Sequence, residues 1–418
     1  MIDKKVIITG GKLIDVETEK IIEDSIIIIE NGKIIAAGSS NDIELPAKTD
    51  SVIYYDARGK TVLPGLIDSH THLQLVPEDN ECETLKKSVP LKAIQAAYNA
   101  KKTLEAGFTT IRDLGAEHLV DIAVRDAIEG GLSLGPKVLA SGYKIAPTGA
   151  DFRIYPSEVN ISGQYTMDSV AEIRRAVREL IGLGVDQIKI MTSGRTFRKS
   201  SSPNAKVYSL EEVRIAVEIA HDNGLKVSAH AHGAAGVKLA LEAGCDTIEH
   251  GTVLDENDIE FMLENNIYLV PTFSYSGNLK RLKGDSGLPD YSIAKALSSR
   301  EKRLKSFYNA YQDGVKIAMG SDSGMPFVPH GTNAIEITEM VKAGMSNLDA
   351  LKSATIIGAE ALGIEDKAGS IRPDKQADLI IVDGDPIDDI EVLNEITNIK
   401  LIIKSGEPVI KRGEYTDQ

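Results

Sequence analysis

The chain predicts an α/β fold, a (β/α)8 (TIM) barrel joined to a small β-sandwich domain built from both termini. Three features of its 418 residues point there. Residues 1–61 and 369–418 carry short strand patterns and no helix of ordinary length. Between them, residues 62–368 alternate buried-type strands with amphipathic helices eight times, in a fold that usually takes about 250 residues plus insertions. Histidines gather at the ends of those strands, which is where barrel enzymes keep their chemistry. The competing arrangement is an open, doubly wound sheet.

In order, Lys5–Ile8, Ser25–Glu30, Lys33–Ala37 and Val52–Asp56 read as strands, with Asn31-Gly32 as a hairpin turn. Eight strands then follow: Leu66–Leu73, Thr109–Leu114, Lys137–Ser141, Asp186–Thr192, Lys226–His232, Thr247–His250, Tyr268–Phe273 and Lys316–Ser321. Helical periodicity follows each, as in Leu91–Ala106, Leu210–Asn223 and Ile293–Asp313, and Leu348–Leu362 ends the series. Asp378–Val382, Ile399–Ser405 and Pro408–Lys411 return to short strands. Residues 143–166 and 274–291 read as long loops, where substrate choice would sit.

Composition narrows the partners. A net charge of −15 argues against nucleic acid and against an anionic membrane. No apolar run of about 18 residues predicts a membrane helix, and no signal-peptide core appears. The two cysteines, Cys82 and Cys245, exclude a disulfide framework and fit a reducing cytoplasm. The expected partner is a small-molecule substrate, and the expected assembly a homo-oligomer.

The strand ends carry the chemistry. His70 and His72 are two apart and share a face, as do His230 and His232. His250 ends the sixth strand, and Asp322 follows the eighth among small residues. Five of the eight histidines thus sit at three strand ends. Imidazoles and carboxylate without clustered cysteine suit zinc or a similar divalent ion. Lys189 lies in an apolar strand, where a buried ammonium is costly. It is either half of an ion pair or a lysine carboxylated by carbon dioxide and able to bridge two metals. Arg195 and Arg198 on the next loop could clamp a carboxylate, or simply stay solvated. Tyr275 could donate to the substrate or only pack. His232 could line the pocket.

The Pro64–His72 entry, the segments Ala229-His230-Ala231-His232-Gly233, Ile248-Glu249-His250-Gly251 and Gly320-Ser321-Asp322, and the Ala377–Ile380 strand resemble the amidohydrolase superfamily. Within it they look like the imidazolonepropionase-like and prolidase-like branch, which includes Xaa-Pro dipeptidases and metal-dependent carboxypeptidases. The resemblance spans nearly the whole chain. It implies a binuclear site in which His70, His72 and Asp322 bind one metal, His230 and His250 bind the other, and carboxylated Lys189 bridges them. It also implies cleavage of a small amide by metal-activated hydroxide, with Asp322 as general base and then acid. His330 matches a family segment and is an expected substrate contact. The loop Ala146–Phe152 carries no histidine, whereas prolidase-like relatives often have Gly-Gly-His there. Lactone, carbamate or organophosphate hydrolysis on the same metals is the alternative chemistry. A metal-free scaffold is the alternative class.

Overall fold

The computed structural model describes residues 5–46, 52–77, 81–150, 165–195, 201–281 and 290–415. Both ends of the chain enter one eight-stranded sheet. Its strands are β1 (Lys5–Asp15), β2 (Lys20–Glu30), β3 (Lys33–Ser39), β4 (Val52–Asp56) and β5 (Thr61–Pro64). Three later strands complete it, β13 (Leu379–Val382), β14 (Ile399–Lys404) and β15 (Glu407–Lys411). The order is β15-β14-β13-β5-β1-β2-β3, with β4 also on β1. Asn31 and Gly32 both have positive φ, 51° and 79°, so the β2–β3 hairpin turns as a type I′ pair demands. The first hairpin is longer than expected. β1 runs on through Gly10-Gly11, where its register with β2 shifts and Gly10 takes a φ of 80°, so a bulge carries the glycines within the strand.

Alternation along β13 explains how this sheet meets the rest. Leu379 and Ile381 pack with Ile8, Ile27 and Ile403 in the sheet's own core. Ile380 and Val382 point the other way, into the large cluster with Leu66, Phe108 and Leu104. β5, antiparallel to β13, divides likewise, Val62 to the sheet core and Leu63 to the large cluster.

The central strands form two parallel sheets. One is β6 (Leu66–Thr71), β7 (Phe108–Asp113) and β8 (Lys137–Ala140). The other is β9 (Gln187–Met191), β10 (Lys226–Ala231), β11 (Thr247–His250) and β12 (Tyr268–Val270). Nearly every residue in them is buried, as expected of parallel strands covered on both faces. Helices start cleanly between them. Ser209 and Glu212 form a capping box, as do Asp255 and Asp258.

Three expected elements differ. Lys316–Ser321 is no regular strand and makes only a bridge from Ile317 to Leu269. Its backbone is divided among three neighbours: Lys316 and Ala318 bond Leu269, while Met319 accepts from Ser69 and donates to the Ser353 carbonyl. The expected helix Leu348–Leu362 is two helices, Asn347–Ser353 and Ile356–Leu362. The Ala354 carbonyl accepts from Ile67 of β6 at 2.7 Å and so leaves the helical ladder, while Thr355 sits at φ −139°, ψ −98°. Ser274–Arg281, expected as loop, is helical. Among the described residues, no helix is long and apolar enough to cross a membrane.

Because Ile380 joins the sheet to the large core and is fully buried, Ile380→Ala should lower unfolding free energy by about 2–5 kcal/mol. Urea titration checks this, and a loss below about 1 kcal/mol would mean that the contact contributes little.

Candidate metal centre

Strand register dictates how the histidines meet. His70 lies in β6 and His72 just beyond it, on the same face. In the β10–β11 pair, His230 is opposite Glu249 and Ala231 is opposite His250. Partners in a parallel ladder share a face, so regular backbone would send His250 outward with Ala231. Instead His250 adopts a φ of 71° and swings back to His230, with Nε2 at 2.8 Å from the His230 Nδ1. Thr272 and Asp322 follow the next two strand positions, and both also lie in the left-handed region, at 54° and 59°. For non-glycine residues, threonine above all, such backbone costs on the order of 1–3 kcal/mol each and persists only where its surroundings impose it.

The result is a single cavity lined by His70, His72, Lys189, His230, His232, His250, Tyr275 and Asp322, together with Arg195, Thr272 and Arg303. The Asp322 Oδ1 is 3.4 Å from Nε2 of both His70 and His72. Two groups could each hold an ion, His230 with His232 and His250, and His70 with His250 and Asp322. His232 therefore stands among the possible ligands as well as in the wall. His330 is apart from the cavity lining. Its Nε2 is 3.3 Å from the Leu75 carbonyl, and it packs against the chain beyond His72. Arg198 lies outside the described residues.

Hydrogen bonds set the ring orientations. His70 Nδ1 donates to Glu249 Oε2 at 2.6 Å, and His72 Nδ1 to the Gly115 carbonyl at 3.3 Å. His232 Nδ1 pairs with the Thr252 hydroxyl at 2.9 Å, and His250 Nδ1 with the Thr272 hydroxyl at 2.7 Å. With Nδ1 engaged, Nε2 of His70 and His72 is left for the cavity. Burial holds His72, His230, His232 and His250 well below the usual imidazole range, and neighbouring positive groups add to this. They are neutral at pH 7, the form that ligates metal.

Sequence reasoning missed the support beneath them. Arg112 of β7 and Glu249 are 1% and 0% exposed. Arg112 donates Nη2 to Glu249 Oε1 at 2.8 Å, Nη1 to Ser228 at 2.8 Å, and Nε to the Ser69 carbonyl. Burial alone would raise the Glu249 carboxyl, but Arg112 and His70 bring it down to about 2. The signal was available. A charged residue inside an apolar strand marked Lys189, and the same test applies to Ile111-Arg112 and Ile248-Glu249.

Among the described residues, Lys189 Nζ and His230 Nε2 are two nitrogens of the cavity wall that are buried without a hydrogen-bond partner. Burial brings the Lys189 ammonium down to about 7, against the pull of Glu249. Neutral imidazoles, a carboxylate and these two orphaned nitrogens are the donor set that divalent ions take.

Removing Arg112 should cost about 3–5 kcal/mol at pH 7, since Glu249 is then buried unpaired. The sign with pH follows from Glu249. In the wild type its folded value lies below the unfolded one, so its stabilisation is present above about pH 4.5 and lost as pH falls toward 2. In Arg112→Met burial raises it instead, and acid relieves the penalty. The stability gap between the two proteins, from urea titrations at pH 7 and pH 4, should therefore narrow in acid; an unchanged gap would remove Glu249 as its source.

Comparison with known proteins gives the family. The amidohydrolase family model matches residues 61–409. The crystal structure of a Xaa-Pro dipeptidase with methionine bound in its active site superposes with a TM-score of 0.88 at 37% identity, covering 97% of this chain and 99% of that one. Ochratoxinase of Aspergillus niger is 31% identical, over 97% of this chain and 86% of its own. Imidazolonepropionase of Streptococcus sanguinis is 26% identical, over 96% and 93%. The chain is an enzyme, a metal-dependent hydrolase acting on carbon–nitrogen bonds, and it belongs to the amidohydrolase family.

Proposed function

We propose that this enzyme uses two divalent ions to hydrolyse the amide bond of a small substrate, an acyl-amino acid or dipeptide. The observation that carries the reading is Lys189. Its Nζ is buried and has no hydrogen-bond partner, yet it lines the cavity that holds five histidines and Asp322. Among the described residues it makes no ion pair, the ordinary fate of a buried lysine. Addition of its neutral amine to carbon dioxide, with release of one proton, turns the orphaned cation into a carboxylate donor.

In this reading His70, His72 and Asp322 hold one ion, His230 and His250 hold the other, and carboxylated Lys189 serves both. Zinc suits the nitrogen and oxygen donors. When bound, such ions supply a nucleophile at neutral pH and polarise the scissile carbonyl. The chain's own groups handle the proton and the orientation. Asp322 accepts the proton of the attacking water on its carboxylate and delivers it to the leaving nitrogen. Glu249 holds the His70 ring through Nδ1, and Thr272 holds that of His250. Tyr275, buried in the same wall, offers a phenol that burial keeps protonated, so it can donate to the substrate. Among similar structures, a prolidase complexed with N-methylphosphonate-L-proline, at 30% identity and a TM-score of 0.88, points to the same substrate class.

The two parallel sheets are read as arcs of one (β/α)8 barrel over residues 62–368. In support, parallel bridges Ile145–Ile190, Leu269–Ile317 and Thr71–Ser323 fall where its joints would be.

Protein prepared without chelator should carry about two divalent ions per chain; fewer than one would overturn the reading. After incubation with ¹³C-bicarbonate, a carbamate carbon resonance should appear in the wild type and be missing from Lys189→Ala. Asp322→Asn should lower kcat at least about 10²-fold on dipeptide and acyl-amino-acid substrates. Glu249→Gln should weaken metal binding by about 10–100-fold in a competitive chelator titration, and unchanged affinity would reduce Glu249 to a packing role.

A further inference from the structure

The enzyme buries a second cation with no carboxylate beside it. Arg303 lies on the long helix Asp290–Gln312, is 6% exposed, and lines the same cavity as His232, His250 and Asp322. Its described bonds go to neutral oxygens, Nη1 to the Thr272 carbonyl at 2.7 Å and Nε to the Thr252 hydroxyl at 3.4 Å. Among the described residues, no carboxylate comes within ion-pair distance of it. Glu336, the acid that acts on it most, already accepts from the backbone of Phe273 and Ser274 and from the Ser274 hydroxyl. The other guanidinium buried at this site, Arg112, has its carboxylate at 2.8 Å.

A guanidinium out of water is costly unless an anion completes it. Its fork suits a carboxylate, which it binds through two parallel hydrogen bonds. His232 and Thr252 also line a larger chamber of about 470 Å³, with Asn204, Lys295 and Lys302 in its wall. Positive charge thus stands on both sides of His232, Arg303 in one cavity and Lys295 and Lys302 in the other.

We propose that Arg303 is the specificity residue that binds the substrate's carboxylate, so that the enzyme selects amides whose product is a free α-amino acid. This rests on the amide-hydrolase reading and deepens it. Arg303 acts on the bound anion, whereas Thr252 and Thr272 orient His232 and His250.

The test is binding, measured by calorimetry on metal-loaded protein with two probes whose sulfonamide bond resists hydrolysis and which differ in charge, N-methanesulfonyl-L-methionine and its uncharged carboxamide. The wild type should bind the acid at least about tenfold more tightly than the amide. In Arg303→Gln the ratio should fall to within about threefold, with Arg303→Lys between the two. Metal content and melting temperature in each variant separate charge recognition from a disturbed site. If Arg303→Gln keeps the wild-type ratio, weakens both probes equally, or if the wild type shows no preference, the proposal is overturned. Release of methionine from N-acetyl-L-methionine and from dipeptides, followed separately in the wild type, tests the hydrolase reading. That reading can fail while the charge preference holds, and the reverse, so the two failures are distinguishable.

Discussion

Arg112 and Glu249 form the contact on which the site depends. Each is charged, each is sealed from water, and each comes from a different strand. A carboxylate there would be protonated by its surroundings, and the guanidinium would be too costly to bury alone. Together they satisfy one another and leave Glu249 with a second oxygen for His70. Arg112 also ties the carbonyl of Ser69, the residue before His70, to the hydroxyls of Ser228 and Thr247. One polar knot thereby fixes β6, β7, β10 and β11 against each other at the level of the histidines. Such pairs add little net stability compared with apolar packing, but they set register, and the site needs register above all.

That register alone would not bring all the ligand candidates together. His250, Thr272 and Asp322 occupy left-handed backbone at the ends of consecutive strand positions. Each turn brings inward a side chain that strict alternation would turn away or leave short. The strain is borne by a buried surround that includes Gly320, whose missing side chain admits His70 and Val270 at close range. The close approach of four neutral imidazoles follows from the same constraint, since burial disfavours their charged forms.

Much of this was legible in the sequence because it depends on period and position. The two-residue spacing of His70 and His72 placed both in the cavity, and Asn31-Gly32 turned the hairpin as its chemistry requires. Lys189 stood out as a charge in an apolar strand and proved to be an orphan. What stayed hidden depends on distant partners. Nothing local in Leu348–Leu362 announces that Ile67 will take the Ala354 carbonyl and split the helix. Nothing local in Lys316–Ser321 shows its hydrogen bonds divided among Leu269, Ser69 and Ser353. His330 resembles a family segment, yet its ring faces the backbone near Leu75 rather than the cavity.

The pairing of β5 with β13 has a consequence for how the chain is made. Thr61 bonds to the Gly384 carbonyl, 323 residues away in sequence. During synthesis the amino-terminal strands must wait, with the β5 edge toward β13 unpaired, until Leu379–Val382 has emerged. An open edge of this kind invites pairing with other chains, and long-range contacts form slowly. The interval between translation of Pro64 and that of Leu379 is therefore when the nascent enzyme is most exposed to aggregation, and its yield in the cell depends on what shields that edge meanwhile.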